Sequence, residues 1–311
     1  MYDRSCERCA VRGESALTLV RVRPSTGVNV RKEQGTASVE SEVTFSFGRN
    51  WQVFLKTIDE ERIQNAQHSL TDFLGTDSFA GKTFIDIGCG SGLFSLAAVR
   101  LGSDRVVSFD VDPFSVHCCR HLHTQAGNPS HWEIYQGSVL DGVFLSSLGT
   151  FDIVYSWGVL HHTGRMWDAV QSSAELVRPE GHYYIALYNK ILGRSGSPSW
   201  IHPFWLGVKR LYNAHPTVGV YVLEPLAMAA YLTMVVARLE SPVRHIRNYK
   251  SYRGMSWRTD ATDWLGGYPY EFATVEEVFK FVRARFPEFT LVNLRVTSGR
   301  GLNWYLFRRS T

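Results

Sequence analysis

Three groups in this chain are best placed by type and spacing to hold a ligand. They are the alternating glycines of Gly88-Cys89-Gly90-Ser91-Gly92, a carboxylate just before them at Asp86, and a second carboxylate at Asp110. Alternate glycines let the backbone turn sharply and come close to a bound group. A carboxylate ending a neighbouring strand can accept hydrogen bonds from both hydroxyls of a ribose. Downstream, His161 and His162 are adjacent. An imidazole with an ordinary pKa of about 6.5 suits proton transfer at neutral pH. Tyr188 and Asn189 end a later apolar run and are expected to face the same region. No metal-ligand cluster is evident. Cys6-x-x-Cys9 lacks a second pair at finger spacing, since the next histidine is His68, and reads as part of a polar leader.

The elements that must position these groups follow from hydrophobic patterning. Phe84 to Ile87 is a short apolar run, as in a strand covered on both faces, and Leu93 to Leu101 has an apolar helix pattern. The glycine turn between them therefore lies at the carboxyl edge of a parallel sheet, where open α/β folds bind ligands. Its spacing is not that of a dinucleotide fold, because Leu93 stands where Gly-x-Gly-x-x-Gly needs its third glycine. Strands are expected over Arg105–Asp110, Trp132–Gln136, Phe151–Trp157 and His182–Tyr188. Helices are expected over about Phe114–Ala126 and Trp167–Val177, with a turn at Pro179-Glu180-Gly181. Alternating strands and helices imply parallel pairing with right-handed crossovers. Thr274 and Glu277 read as a capping box for a helix reaching about Arg285. Two strands, Phe289–Thr297 and Leu302–Arg308, close the chain across the turn Ser298-Gly299-Arg300-Gly301.

Asp86-Ile87-Gly88-Cys89-Gly90-Ser91-Gly92 with Asp110 resembles the cofactor site of class I S-adenosylmethionine-dependent methyltransferases. Phe151-Asp152-Ile153-Val154-Tyr155-Ser156-Trp157-Gly158-Val159-Leu160-His161-His162 resembles the fourth-strand motif of their ubiquinone-biosynthesis-like branch. The likeness spans roughly residues 80 to 190. It implies an α/β fold with a seven-stranded Rossmann-like sheet whose last strand is reversed, and S-adenosyl-L-methionine as methyl donor. It also implies a cofactor site of Asp86, Gly88, Cys89, Gly90, Gly92, Asp110 and Val111. Ser138 and Val139 would lie at the adenine edge, with Trp157 and Leu160 beside the cofactor. Many relatives carry Asp where Ser138 stands. His161, His162 and Tyr188 become the candidate catalytic residues.

The remaining segments divide the chain into a leader (1–44), a lid or helical segment (45–80), the cofactor-binding core (81–190), a helical cap inserted after strand five (191–270) and a closing helix and hairpin (271–311). Arg49 and Trp51 are candidates for a lid over ligand, or for packing the leader onto the core. Asn189, Tyr268, Tyr270 and Glu271 are candidate substrate contacts. Val218 to Ala237 is nearly all apolar, with Glu224 as its charge and Pro225 breaking the run. It reads first as a buried cap helix, and second as a membrane-surface helix suited to an apolar substrate. Arg244, His245, Arg247, Lys250, Arg253 and Arg258, interleaved with Tyr249, Tyr252 and Trp257, could be a solvated face, an anion site or an RNA contact.

A hydrophobic content of 44% supports a sizeable core, and a net charge of +4 points to no particular partner. Five cysteines form no disulfide framework, and Met1 to Arg12 is polar, so a cytoplasmic setting is expected. A small-molecule acceptor under the cap is the favoured substrate class. A tRNA-modifying enzyme, a lipid or quinone methyltransferase at a membrane surface, and a non-catalytic cofactor-binding partner are the alternatives.

Overall fold

The computed structural model describes Gly48, Trp51, Leu55 and residues 58–193, 199–238, 241–244, 246, 257–297, 299 and 301–311. All of these belong to one compact unit, Val43–Thr311. Cys6, Cys9, Arg49, and His245 and residues 247–256 of the basic stretch lie outside the described residues.

Seven strands form one sheet: β1 (Thr83–Ile87), β2 (Arg105–Asp110), β3 (Trp132–Gln136), β4 (Phe151–Trp157), β5 (Val177–Tyr188), β6 (Phe289–Arg295) and β7 (Leu302–Arg309). Their order is β3-β2-β1-β4-β5-β7-β6, with β7 antiparallel to both of its neighbours and the other pairings parallel. The sheet with a reversed last strand is the one expected from the sequence.

Successive strand residues point to opposite faces, and both faces of the central strands are buried. Phe84, Val106, Ile153 and Tyr155 pack on one side with Ile63, Leu70 and Phe73 of helix α1 (Glu60–Leu74) and Leu96 and Ala97 of α2 (Leu93–Arg100). Ile85, Val107 and Val154 pack on the other with Ala169 and Val170 of α5 (Met166–Ala174) and Val278 and Val282 of α9 (Val275–Arg285).

Local chemistry sets the helix ends. The Asp59 carboxylate accepts from the Arg62 N–H to start α1, and Gly75, at φ 68°, ends it. Asp112 caps α3 (Pro113–Gln125), with Pro113 in the first turn, where a missing N–H costs nothing. Asp141 caps a short helix, α4 (Gly142–Leu148), that patterning did not indicate. The Thr274–Glu277 capping box is present in both directions.

Two expectations are corrected. The helix thought to reach Val177 ends at Ala174, and β5 starts at Val177 because Phe151 pairs with it and donates its N–H to the Leu176 carbonyl. Pro179-Glu180-Gly181 is therefore a bulge inside β5 rather than a turn before it. The ladder shifts between Phe151 and Ile153, and Glu180 takes φ 65°. A Cβ at Gly181 would sit 2.8 Å from the Arg178 carbonyl oxygen, so the bulge closes on glycine.

After β5 come α6 (Ile201–Ala214), α7 (Pro216–Ala237, with a π-turn at Gly219–Leu223) and α8 (Trp257–Gly266). The second correction concerns α7. Its composition implies a buried helix, yet only Gly219, Glu224 and Val235 are buried along it. The Glu224 carboxylate turns inward, where the hydroxyls of Tyr212 and Thr262 donate to it at 2.7 and 3.0 Å. Of the described helices, α7 alone is long and apolar enough to cross a membrane, by length and composition.

Candidate active site

Asp86 is the last but one residue of β1 and is 3% exposed. It ends a directed chain of buried hydrogen bonds. Trp132 Nε1 donates to Ser108 Oγ (2.8 Å), Ser108 to Ser95 Oγ (2.8 Å), and Ser95 to Asp86 Oδ2 (2.6 Å). An indole N–H can only donate, so every hydroxyl proton in the chain points toward the carboxylate. Burial nevertheless pushes the Asp86 pKa up to about 7, with the nearby Asp110 charge adding to the rise and Ser95 opposing it.

Asp110 ends β2 with both carboxylate oxygens fixed. The Asp112 N–H donates to Oδ1 (2.9 Å) and the Gly90 N–H to Oδ2 (3.1 Å). Each oxygen keeps a further lone pair for a ligand. Burial raises this carboxyl to about 6, against the lowering effect of those two N–H groups.

The glycine loop is held from three sides. Gly88, Gly90 and Gly92 all have positive φ, at 72°, 54° and 83°. Cβ atoms there would meet Val159 at 2.4 Å, the Trp51 indole at 2.8 Å and the Cys119 sulfur at 2.7 Å. The N–H groups of Gly88 and Cys89 donate to the Phe109 carbonyl, and that of Gly92 to the Cys89 carbonyl. Gly92 has no side chain to cap α2, and the backbone N–H of Ser95 in the first turn is directed at Asp86. The Cys119 sulfur and burial together hold the Cys89 thiol protonated. Ser138 Oγ accepts from the Leu140 N–H (3.1 Å), Val139 is buried, and Val111 is 68% exposed. Trp157 is exposed with one edge against Trp304, and Leu160 is wholly buried in the core.

Past β4 the two histidines enter a closed aromatic cluster. His161 is 0% exposed, and neither ring nitrogen has a hydrogen-bond partner. Its ring lies 4.0 Å from Tyr188 and 4.4 Å from His162. Nδ1 of His162 donates to the Pro269 carbonyl at 2.6 Å, which leaves Nε2 as the acceptor. Burial, with the Lys209 charge second, depresses His162 to about 3. Burial, then His162 and Lys209, holds His161 well below its ordinary value. Both imidazoles are neutral at pH 7.

Lys209 of α6 is 0% exposed. Its ammonium donates to the Trp264 carbonyl and lies 4.8 Å from the Tyr270 ring centroid and 5.2 Å from that of Trp264. Burial pulls it down to about 7, against the raising effect of Asp263. Lys209 was not singled out in the sequence, although it sits in the inward stripe His202–Trp205–Lys209–Tyr212, where a lysine is out of place.

The structure gathers Tyr188, Tyr270 and Glu271 at the histidines. The Glu271 N–H donates to the His161 carbonyl, and its Oε2 accepts from the Met166 N–H at the start of α5. Tyr268 stacks near Arg210 instead. The Asn189 amide is engaged by the β6–β7 turn, donating to the carbonyls of Thr297 and Gly299 and accepting from Asn303. Among the described residues, no group of three His, Cys, Asp or Glu side chains could hold a metal ion.

Residues 85–185 match the family model described as a methyltransferase domain. Together with the reversed β7 and the motif order, that match decides the family. This region is a class I S-adenosylmethionine-dependent methyltransferase domain. The chain is 31% identical over 126 residues to the ubiquinone biosynthesis O-methyltransferase of Methylobacterium sp. (strain 4-46), a match covering 40% of this chain and 49% of that protein. It is 40% identical over 55 residues to the ribosomal protein L11 methyltransferase of Tolumonas auensis, covering 18% and 19%. The chain thus spans about half or less of the length of these curated relatives. Magnesium protoporphyrin IX methyltransferase from Synechocystis PCC 6803 is a solved structure of similar outline. It is 14% identical, with a TM-score of 0.49, and the match covers 84% of this chain and 94% of that one.

S-adenosyl-L-methionine is the methyl donor of this family. The donor set of the methyltransferase domain fits it. Asp86 offers a carboxylate for an ammonium, the Leu93 and Phe94 end of α2 offers N–H groups for a carboxylate, and Asp110 offers free lone pairs for the ribose hydroxyls.

Proposed function

We propose that the chain methylates a small-molecule nucleophile at the carboxyl edge of the sheet, beneath a helical cap formed by residues 191–270. The observation that carries this reading is the convergence of Asp86, the glycine loop and Asp110 at one sheet edge, within the segment that matches the methyltransferase domain. The bound donor supplies an electrophilic methyl group, so the protein's task is alignment and exclusion of water. Trp51 over Gly90 serves as a lid, and the Gly48 N–H fastens that segment to Asp112 at 2.9 Å. The return segment ties the cap to the core through the Pro269–His162 and Glu271–His161 bonds. His161 and His162, both held neutral and packed against Tyr188, brace the return segment beside the acceptor rather than storing its proton.

The test uses purified protein, S-adenosylmethionine labelled in the methyl group, and separated pools of small metabolites, lipids and total RNA. Label in a small-molecule product is the expected result. Label confined to RNA would overturn the reading and reassign the 244–258 stretch to nucleic acid.

A further inference from the structure

In a water-exposed helix the outward stripe is polar. In α7 it is not. Glu224, Ala227, Met228, Tyr231, Leu232 and Val235 form the covered stripe, at helical spacing. The opposite stripe runs through Val222, Leu226, Ala230, Thr233, Val236 and Ala237 and bears no charge. Leu226 is 62% exposed, Val236 55% and Tyr221 76%. The single acid of the helix is turned to the protein and held there by two hydroxyls. A row of exposed apolar side chains of this length is uncommon on a monomer and marks an interaction surface.

Neighbouring residues indicate what covers it. Trp200 is 74% exposed and Phe204 52% exposed at the start of α6, the kind of aromatic side chains that favour a lipid–water boundary. Arg210, Arg238 and Arg244 are exposed, and Arg247, Lys250, Arg253 and Arg258 follow in the sequence, with Glu240 as the acid among them. Apolar side chains flanked by cations complement an anionic bilayer. A spanning role does not fit. One side of α7 is packed on α6 and α8 through a buried glutamate, and that side could not face lipid.

The geometry points to α7 as an interfacial helix that seats this chain on the surface of an anionic lipid bilayer, with Val222, Leu226 and Val236 inserted and the arginines at the headgroups. This does not rest on methyl transfer, because seating requires neither donor nor acceptor.

The experiment is vesicle co-sedimentation of the full chain, with phosphatidylcholine alone and with phosphatidylcholine doped with phosphatidylglycerol. Doping is expected to raise binding on the order of tenfold or more, and high salt to remove that gain, since each cation near the surface contributes on the order of fivefold. The double variant L226E/V236E, at exposed positions, should lose vesicle binding on the order of a hundredfold. It should keep its melting temperature and its affinity for S-adenosylhomocysteine, which shows that it folds. R238E/R244E should lose the dependence on doping. Three results would overturn the inference: no sedimentation with either vesicle, equal sedimentation of wild type and L226E/V236E, or equal binding to doped and undoped vesicles. A wild-type dimer in light scattering that L226E/V236E reduces to a monomer, without vesicle binding, would assign the surface to a second copy of the chain.

Discussion

If Asp86 pairs with the cofactor ammonium, then cofactor affinity must depend on pH in the neutral range, where an ordinary aspartate would give no dependence. Burial places the free carboxyl at about 7, so at pH 6 most molecules carry it protonated. The ammonium requires the carboxylate form, and affinity falls toward tenfold for each pH unit below that value. From pH 8 to pH 5 the loss is about a hundredfold from Asp86 alone. Asp110, at about 6, adds up to about tenfold more to the extent that the ribose needs its charged form.

The same shift sets the sign of a stability effect. The folded pKa lies above the unfolded one, so the contribution is fully present below pH 4 and is lost as pH rises through 7. The free protein is destabilised at neutral pH by up to about 4 kcal/mol relative to acid, and bound cofactor offsets this. Isothermal titration with S-adenosylhomocysteine from pH 5 to 8, in two buffers of different ionisation enthalpy, reads both affinity and proton exchange. Release approaching one proton near pH 6 is expected, and D86N should abolish most of it while weakening binding at pH 8. A flat affinity across this range with no proton exchange would refute the assigned role of Asp86.

Four further outcomes are expected. Gly90→Ala puts a methyl 2.8 Å from the Trp51 ring at positive φ; it should weaken S-adenosylhomocysteine binding at least about tenfold, and Trp51→Ala should restore part of that loss in the double variant. Lys209 has a folded value below its unfolded one, so stability should rise from pH 7 to 10. K209M should remove that rise and be no less stable at pH 7, as thermal melts across pH would show. His161→Phe removes two buried nitrogens that have no partner; it should leave the melting temperature unchanged or higher in thermal melts. Glu224→Leu should remove the acceptor that Tyr212 and Thr262 share and cost about 1–3 kcal/mol in denaturant melts, with the Y212F/E224L double variant recovering part of it.

Much of the cofactor side was legible because its signals are local. Asp86, the glycines and Asp110 lie on two adjacent strand ends, and sequence spacing alone puts them together. The serine–indole chain behind Asp86 was not legible, since Ser95, Ser108 and Trp132 come from three elements and none is unusual where it stands. The histidine pair was visible as a pair, but its ionisation was not. What depresses His162 is burial, together with a lysine on α6, against the raising effect of the Pro269 carbonyl more than a hundred residues away. Helix α7 is the sharper case. A segment apolar on every side gives no periodicity from which to read its covered face, so hydrophobicity alone suggested burial. The residue that orients it is the exception in its composition. Glu224 cannot remain in an apolar setting unless hydroxyls reach it, and those hydroxyls are on α6 and α8. Fixing that one carboxylate against the protein turns Leu226 and Val236 outward, and the exposed apolar surface follows from where a single charge had to go.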